Sequence, residues 1–220
     1  MDKRLFAIGD IHGCFEKFQT LVEQKILLKK EDHLVLLGDY IDRGPQSKEV
    51  IDYILNLQKK AFSVTPLMGN HEDMLLNAYR DASNISLWFM NGGVETMRSF
   101  GIQRLEDLDE TYVRFFKSLP HFYQIEQYLF VHAGFNDEAE DPFEDKFHML
   151  WKSHIAYNHP LLIDKTIVHG HTAIKEAYCR ERLKTTPQVI DIDTGCVYDM
   201  YPGYGKLTAI ELNSKTLFSV

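Results

Sequence analysis

Oxygen and nitrogen donors recur in this 220-residue chain at one kind of place, directly after a short apolar run. LFAIGDIHG carries Asp10 and His12, VLLGDYIDRG carries Asp39, Asp42 and Arg43, and SVTPLMGNHE carries Asn70, His71 and Glu72. YLFVHAG adds His132, and TIVHGHT adds His169 and His171. Imidazole, carboxylate and amide oxygen together suit manganese, iron or zinc better than calcium, and a donor set without cysteine is not that of a structural zinc site. Asp10, His12, Asp39, Asn70, His132 and His171 suffice for two cations if one carboxylate bridges. Two divalent ions roughly 3.5 to 4 Å apart clamp the attacking and leaving oxygens of a phosphoryl displacement. His169 and His171 flank a single glycine, so on residue type alone either can be the ligand. Each position also has a plainer role when taken singly. An Asp at a strand end bonds its own backbone, and Asn70 and Glu72 suit the start of a helix. Recurrence of the same context at every position argues for a shared site.

The elements that must position these donors follow from periodicity. Aliphatic runs ending in a glycine with acids read as buried parallel strands running into tight turns. Between the first two, Phe15, Phe18, Leu21 and Val22 follow a helical spacing up to Leu28, and Pro45 precedes a helix with Val50, Ile51, Ile54 and Leu55 on one face. A third run, Phe62 to Met68, leads through GNHE into a helix carrying Leu75, Leu76 and Tyr79. Alternating β and α over the first third predicts parallel strands whose carboxyl ends share one edge, where ligands bind. Ala82 to Leu119 reads as mostly helical, with Trp88 and the phenylalanines as core and Asn91, Gly92 and Gly93 as a break. HFYQIEQ with YLFVHAG reads as a hairpin, and Val189–Ile192, Leu207–Leu212 and Thr216–Val220 as strands, so the last third predicts a second sheet packed on the first. With no repeat, low-complexity tract or linker, residues 1–220 read as one α/β domain.

Bulk properties exclude several classes. A formal net charge of -8 with no offsetting basic stretch argues against nucleic acid or an anionic membrane as a specific partner. A phosphorylated substrate therefore needs local positive charge from metal or arginine. Cys14, Cys179 and Cys196 are scattered and odd in number, which implies no disulfide framework and suits a reducing cytoplasm. Basic residues in MDKRLFAIGD lead only into the first strand, and no window approaches a membrane-spanning length, so the expected location is cytoplasmic.

GDIHG, GDYIDRG, GNHE, VHAG and HGHT, in this order, resemble the signature series of the calcineurin-like metallophosphoesterases, and the GDxxDRG and GNHE forms resemble its phosphoprotein phosphatase branch. The match spans Phe6 to Thr172, with an echo at DIDTGC. The resemblance implies a two-sheet β-sandwich flanked by helices (αββα) and a dinuclear centre of divalent ions, manganese foremost. It implies Asp10, His12 and Asp39 on one ion, and Asp39, Asn70, His132 and His171 on the other, with His171 rather than His169 as ligand. It further implies Arg43 and Asn70 on substrate phosphate, Asp42 orienting His71, and His71 protonating the leaving alkoxide after in-line attack by a hydroxide shared between the metals. The expected substrates are a phosphorylated protein or a small phosphate ester, with a bacterial serine/threonine phosphatase as the model. The alternative is a bis(5'-nucleosyl)-tetraphosphatase, and a non-catalytic scaffold is the third choice. One position departs from bacterial relatives, in which a second phosphate-clamping arginine follows an LW pair. Here Leu150 and Trp151 precede Lys152, Ser153 and His154, leaving Lys152, Arg98, Arg180 or Arg182 as substitutes.

Overall fold

The computed structural model describes residues 3–185 and 187–220. β1 (Leu5–Ile8), β2 (His33–Leu36) and β3 (Ser63–Pro66) run parallel side by side, joined through α1 (Phe15–Thr20) and α2 (Ser47–Lys59). The first helix continues as a wider π turn over Leu21–Lys25 before the chain enters β2. α3 (Asn70–Arg80), α4 (Ile85–Met90), α5 (Gly93–Phe100) and α6 (Glu110–Lys117) follow, which agrees with the helical middle expected from the sequence. β4 (Phe122–Ile125) and β5 (Tyr128–Val131) form the expected hairpin. After α7 (Lys146–Trp151), β6 (Thr166–His169) pairs parallel to β5, and β7 (Val189–Asp191), reached through α8 (Glu176–Leu183), pairs parallel to β6.

Strand alternation sorts the core into layers. Leu5 and Ala7 of β1 and Val35 of β2 meet Phe130, Val168 and Ile190 of the other sheet, forming the apolar seam between the two. Phe6, Ile8, Leu34 and Leu36 point the opposite way and pack with Phe18, Ile51, Leu75 and Trp88. Leu129, Val131 and Ile167 cover the far face of the second sheet with Phe135, Met149 and Tyr157. Each of these buried Val, Leu, Ile, Phe and Met side chains contributes about 1.5–3 kcal/mol relative to exposure.

The last two strands depart from expectation. β8 (Thr208–Glu211) and β9 (Thr216–Ser219) do not extend the second sheet. They return to the first, in the order β3-β2-β1-β8-β9, leaving β4-β5-β6-β7 as the other sheet. β1 would otherwise be an unpaired edge between sheet and solvent, and antiparallel pairing with β8 satisfies it. Alternation marks a strand's faces but carries no record of its partner.

At the carboxyl ends of the strands, backbone hydrogen bonds continue the pairing within each sheet, and one side-chain bond crosses between the sheets. Leu37 N–H donates to Ile8 O (3.0 Å), Leu67 N–H to Leu36 O (2.9 Å), and Gly170 N–H to His132 O (2.9 Å). His132 Nδ1 reaches Leu37 O across the sandwich at 2.9 Å. The donors singled out by the sequence therefore share one rim.

Candidate metal centre and phosphate site

Tight turns at the strand ends hold these side chains in backbone conformations that L residues seldom adopt. His12, Asp39, Asp42, Arg43 and His171 all have positive φ, between 45° and 71°, a strain that persists only where surroundings over-determine it. Glu72 supplies much of that constraint at the second turn. Its fully buried carboxylate accepts backbone N–H groups from Asp39 (2.9 Å), Tyr40 (2.8 Å), Ile41 (3.3 Å) and Gly69 (3.0 Å). The Gly69 bond is the helix-start role the sequence suggested; the other three brace the Asp39 turn. Gly69 is also needed for space, since a Cβ there would lie 2.2 Å from Asp39 Oδ1.

Two ligand sets meet at Asp39. His12, Asp39 and His71 present donor atoms within 4.8 Å of one another, as do Asp39, His132 and His171. His12 Nε2 lies 3.5 Å from Asp39 Oδ2, and His132 Nε2 lies 3.5 Å from Asp39 Oδ1, so the two carboxylate oxygens face different sets. Asn70 Oδ1 sits 2.8 Å from His132 Nε2 and 3.1 Å from His171 Nδ1, which are themselves 3.1 Å apart. Asp10 belongs to neither set by this measure. Its carboxylate accepts His171 N–H (3.1 and 3.2 Å) and lies under Gly170, where a Cβ would come within 2.1 Å of Asp10 Oδ1. His169 is buried, turns to Gly170 O (2.9 Å), and stays out of both sets.

These contacts fit cations on grounds of donor chemistry. His132 gives its Nδ1 proton to Leu37 O, and His12 gives its own to Ile41 O (2.9 Å), so both Nε2 atoms present lone pairs. His132 Nε2 and Asn70 Oδ1 are then two acceptors facing each other at 2.8 Å, which repel unless a positive charge lies between them. Ligands about 2.1 Å from a common ion are separated by about 3.0 Å at right angles or about 3.4 Å in a tetrahedron, the range found here.

Burial shapes the charges. Burial and then the neighbouring imidazole of His71 hold His12 well below the ordinary histidine range, and burial lowers His132 as well. His171 is pulled down to about 4 by burial and by His132. Neutral imidazole is the ligating form. Burial raises the Asp39 carboxyl, but His132, His71 and His12 outweigh it and leave it below the usual range. Asp10 is pushed well up by burial and by the charges of Asp193 and Asp39, a cost that a nearby dication reverses.

His71 stands apart. Nδ1 is 2.7 Å from Asp42 Oδ2, while the buried Nε2 has no hydrogen-bond partner among the described residues and lies 3.9 Å from Asp39 Oδ2. Asp42 is itself pinned: Thr96 Oγ1–H donates to Oδ1 (2.6 Å) and Trp88 Nε1–H to Oδ2 (2.9 Å). Burial raises the Asp42 carboxyl, and the bonds from His71, Thr96 and Trp88 oppose that rise. The exposed Arg43 places Nη1 2.8 Å from His12 Nε2, at the mouth of the same rim. The break at Asn91–Gly93 both separates α4 from α5 and touches that arginine: Gly92, at φ 102°, accepts Arg43 N–H at 3.4 Å, and a Cβ would collide with that nitrogen at 2.6 Å.

Of the substitutes for a second arginine, Arg98 pairs with Glu95 and Arg180 with Glu176. Arg182, Lys152 and Ser153 instead line a cavity of ≈ 380 Å³ beside Thr172. Trp151 is half-buried with its ring 6.2 Å from that of His171, so it belongs to the rim as well as to the core. Trp88, Thr96 and Tyr198, whose ring lies 6.0 Å from the Arg43 guanidinium, were not singled out as site residues. Trp88, read as core from the sequence, lies just before the Asn91–Gly93 break, which is the nearest signal.

The chain matches the model of the Calcineurin-like phosphoesterase family over residues 3–192. Serine/threonine-protein phosphatase 2 of Salmonella typhimurium is 28% identical, with 88% of each chain covered. The asymmetrical bis(5'-nucleosyl)-tetraphosphatase PrpE of Anoxybacillus flavithermus is also 28% identical, covering 97% of this chain and 92% of its own. A protein serine/threonine phosphatase from Saccharomyces cerevisiae shares the fold, with a TM-score of 0.67 at 18% identity over 100% of this chain and 79% of that one. With the ordered strand-end donors and a family match over most of its length, this chain belongs to the calcineurin-like phosphoesterases.

Proposed function

We propose that this chain, acting as one domain, hydrolyses phosphate esters at a two-cation centre. Asp10, His12 and Asp39 hold one ion, and Asp39, Asn70, His132 and His171 hold the other. Manganese is the cation we assign, in a cytoplasmic protein whose three cysteines are free thiols. The observation that carries this reading is the convergence of Asn70 Oδ1, His171 Nδ1 and Asp39 Oδ1 on His132 Nε2, whose ring proton is already given to Leu37 O at Nδ1. Bound dications supply charge neutralisation and activate water.

The chain's own groups do the rest. Arg43 moves from His12 to grip two phosphate oxygens, a planar bidentate contact that a lysine cannot copy. α3 opens at Asn70, where His71 N–H is already given to Asp39 Oδ1 (3.1 Å), and the positive end of its dipole favours an anion at this rim. His71 Nε2, held through Nδ1 by Asp42, donates a proton to the leaving oxygen as the phosphorus–oxygen bond breaks. Water supplies the new oxygen on phosphorus and returns a proton to His71, so the residue ends the cycle as it began. No phosphoenzyme is required.

Two substrate classes come from relatives: phosphoprotein, by the name of the Salmonella protein, and bis(5'-nucleosyl) tetraphosphate, by that of the Anoxybacillus protein. The test is reconstitution of metal-stripped protein with manganese, iron or zinc, followed by release of 4-nitrophenol from its phosphate. Turnover that depends on added cation and is lost in His132→Ala supports the proposal. Equal turnover with and without His132 overturns it.

A further inference from the structure

His169 and Asp191 close β6 and β7 and face each other in register. Each lies two positions after a residue on the far face of the second sheet, Ile167 and Val189, so both side chains emerge on that face. There they line a cavity of ≈ 380 Å³ whose walls include Trp151 and Tyr178 and whose cations are Lys152 and Arg182. The volume falls at the small end of the range for small-molecule sites. His171, two residues on from His169, joins the metal rim instead. We propose that this cavity is a separate binding site for a small zwitterion, an amino acid with an apolar side chain, its ammonium on His169 and Asp191 and its carboxylate on Arg182 and Lys152.

The groups in the cavity lack what such a ligand brings. His169 is 3% exposed, and with Nδ1 turned to Gly170 O (2.9 Å) its Nε2 keeps a lone pair without a hydrogen-bond partner among the described residues. The Asp191 carboxylate accepts Asp193 N–H at 3.0 Å and forms no ion pair among those residues. Burial and then the charge of Asp193 push its carboxyl well up, a cost that an ammonium offsets. Two neighbouring acceptors suit an ammonium, with its three donors, better than a metal ion, which asks for about four ligands. The cations are equally unmatched. Among the described residues of a chain with net charge -8, Arg182 and Lys152 form no ion pair and rest on the rings of Tyr178 and Phe147, at 5.8 Å each. The Arg182 charge reaches Asp191 and opposes the rise of its carboxyl, so one compact ligand can serve both. Trp151, Ile174 and Tyr178 provide the contact for an apolar side chain. An anion alone leaves Asp191 unpaired, and an amine alone leaves the guanidinium unused.

The experiment is calorimetric titration of the manganese-loaded full chain with L-phenylalanine, with phenethylamine, which lacks the carboxylate, and with 3-phenylpropanoate, which lacks the ammonium. Phenylalanine binds about tenfold tighter than either, the worth of one charged hydrogen bond. Asp191→Asn weakens phenylalanine and phenethylamine about tenfold and leaves 3-phenylpropanoate unchanged. Arg182→Gln weakens phenylalanine and 3-phenylpropanoate about tenfold and leaves phenethylamine unchanged. Asparagine still accepts the Asp193 N–H, and Arg182 forms no ion pair among the described residues, so both variants keep the fold; thermal unfolding checks this. No heat from phenylalanine at millimolar concentration, 3-phenylpropanoate as tight as phenylalanine, or unchanged affinities in Arg182→Gln overturns the site. His132→Ala separates it from the metal centre: retained phenylalanine binding supports a site of its own whatever the chain hydrolyses, and lost binding places the ligand on the metal and overturns the proposal.

Discussion

Replacing Asp42 by Asn removes one charge from the buried end of the His71 chain and little else. The carboxylate is fully buried and 2.7 Å from His71 Nδ1, with Trp88 Nε1 on the same oxygen at 2.9 Å and Thr96 Oγ1 on the other at 2.6 Å. An amide can keep its carbonyl toward His71 and Trp88 and turn its NH2 toward Thr96, whose hydroxyl rotates to accept. Stability therefore falls by only about 1–2 kcal/mol. The proton-loaded form of His71 loses much more. Opposite charges about 4 Å apart attract by about 4 kcal/mol at an effective dielectric of about 20, and the retained hydrogen bond recovers about 1 kcal/mol. At 1.36 kcal/mol per decade, the step that needs this proton slows about 10²–10³-fold. The assay compares kcat for an alkyl phosphate, whose alkoxide must be protonated as it leaves, with 4-nitrophenyl phosphate, whose leaving group is already stable. The alkyl ester takes the full loss, and the nitrophenyl ester less than about tenfold. Equal losses on both substrates, or none on either, refute the assignment of His71 as acid and Asp42 as its support.

Other perturbations probe the same rim. Arg43→Lys lowers kcat/KM about 10- to 100-fold on any phosphate ester, because one charged hydrogen bond to phosphate is lost; steady-state kinetics that match wild type contradict the clamp. Glu72→Gln turns an amide NH2 toward donors that the carboxylate accepts, costing about 3 kcal/mol in urea unfolding; a neutral result means that the backbone at Asp39 holds itself. Manganese at a hundredfold above its Kd adds about 2.7 kcal/mol, seen in calorimetry as a Tm rise of about 5–10 °C that a chelator reverses. His169 is held down to about 4 by burial. The folded chain therefore takes up fewer protons than the unfolded one between that value and the ordinary 6.5. Its contribution is complete above 6.5 and shrinks as pH falls. His169→Asn should escape about 2 kcal/mol of the loss that the metal-free parent suffers between about pH 7 and about pH 5. Asp193, raised to about 6, acts with the opposite sign in both proteins and cancels from the difference.

What was legible in the sequence was the meeting of strand ends. Leu5–Ile8, His33–Leu36 and Thr166–His169 announce themselves by local apolar runs, and the polar residue after each must emerge at the rim whatever the rest of the chain does. Partnerships across long loops were not legible. Trp88 and Thr96 reach Asp42 from 46 and 54 residues away, and no periodicity marks an indole that faces a carboxylate rather than the core. β8 and β9 read from sequence only as short strands with no mark of their partner, so their return to β1 could not be told from extension of the second sheet. Glu72 read as a helix-start residue because its neighbour Gly69 lies close in sequence, whereas its bonds to Asp39, Tyr40 and Ile41 span more than thirty positions. Context groups Asp10 with the converging donors, and in the structure its carboxylate accepts the His171 backbone N–H, a contact that no local pattern marks.

The central claim is that Asp39 stands between two cations. Anomalous diffraction from crystals of the manganese-loaded chain tests it most directly: the account predicts two peaks about 3.5–4 Å apart, one on each side of the Asp39 carboxylate. A single peak, or peaks that leave Asp39 and His132 without a metal contact, would contradict it.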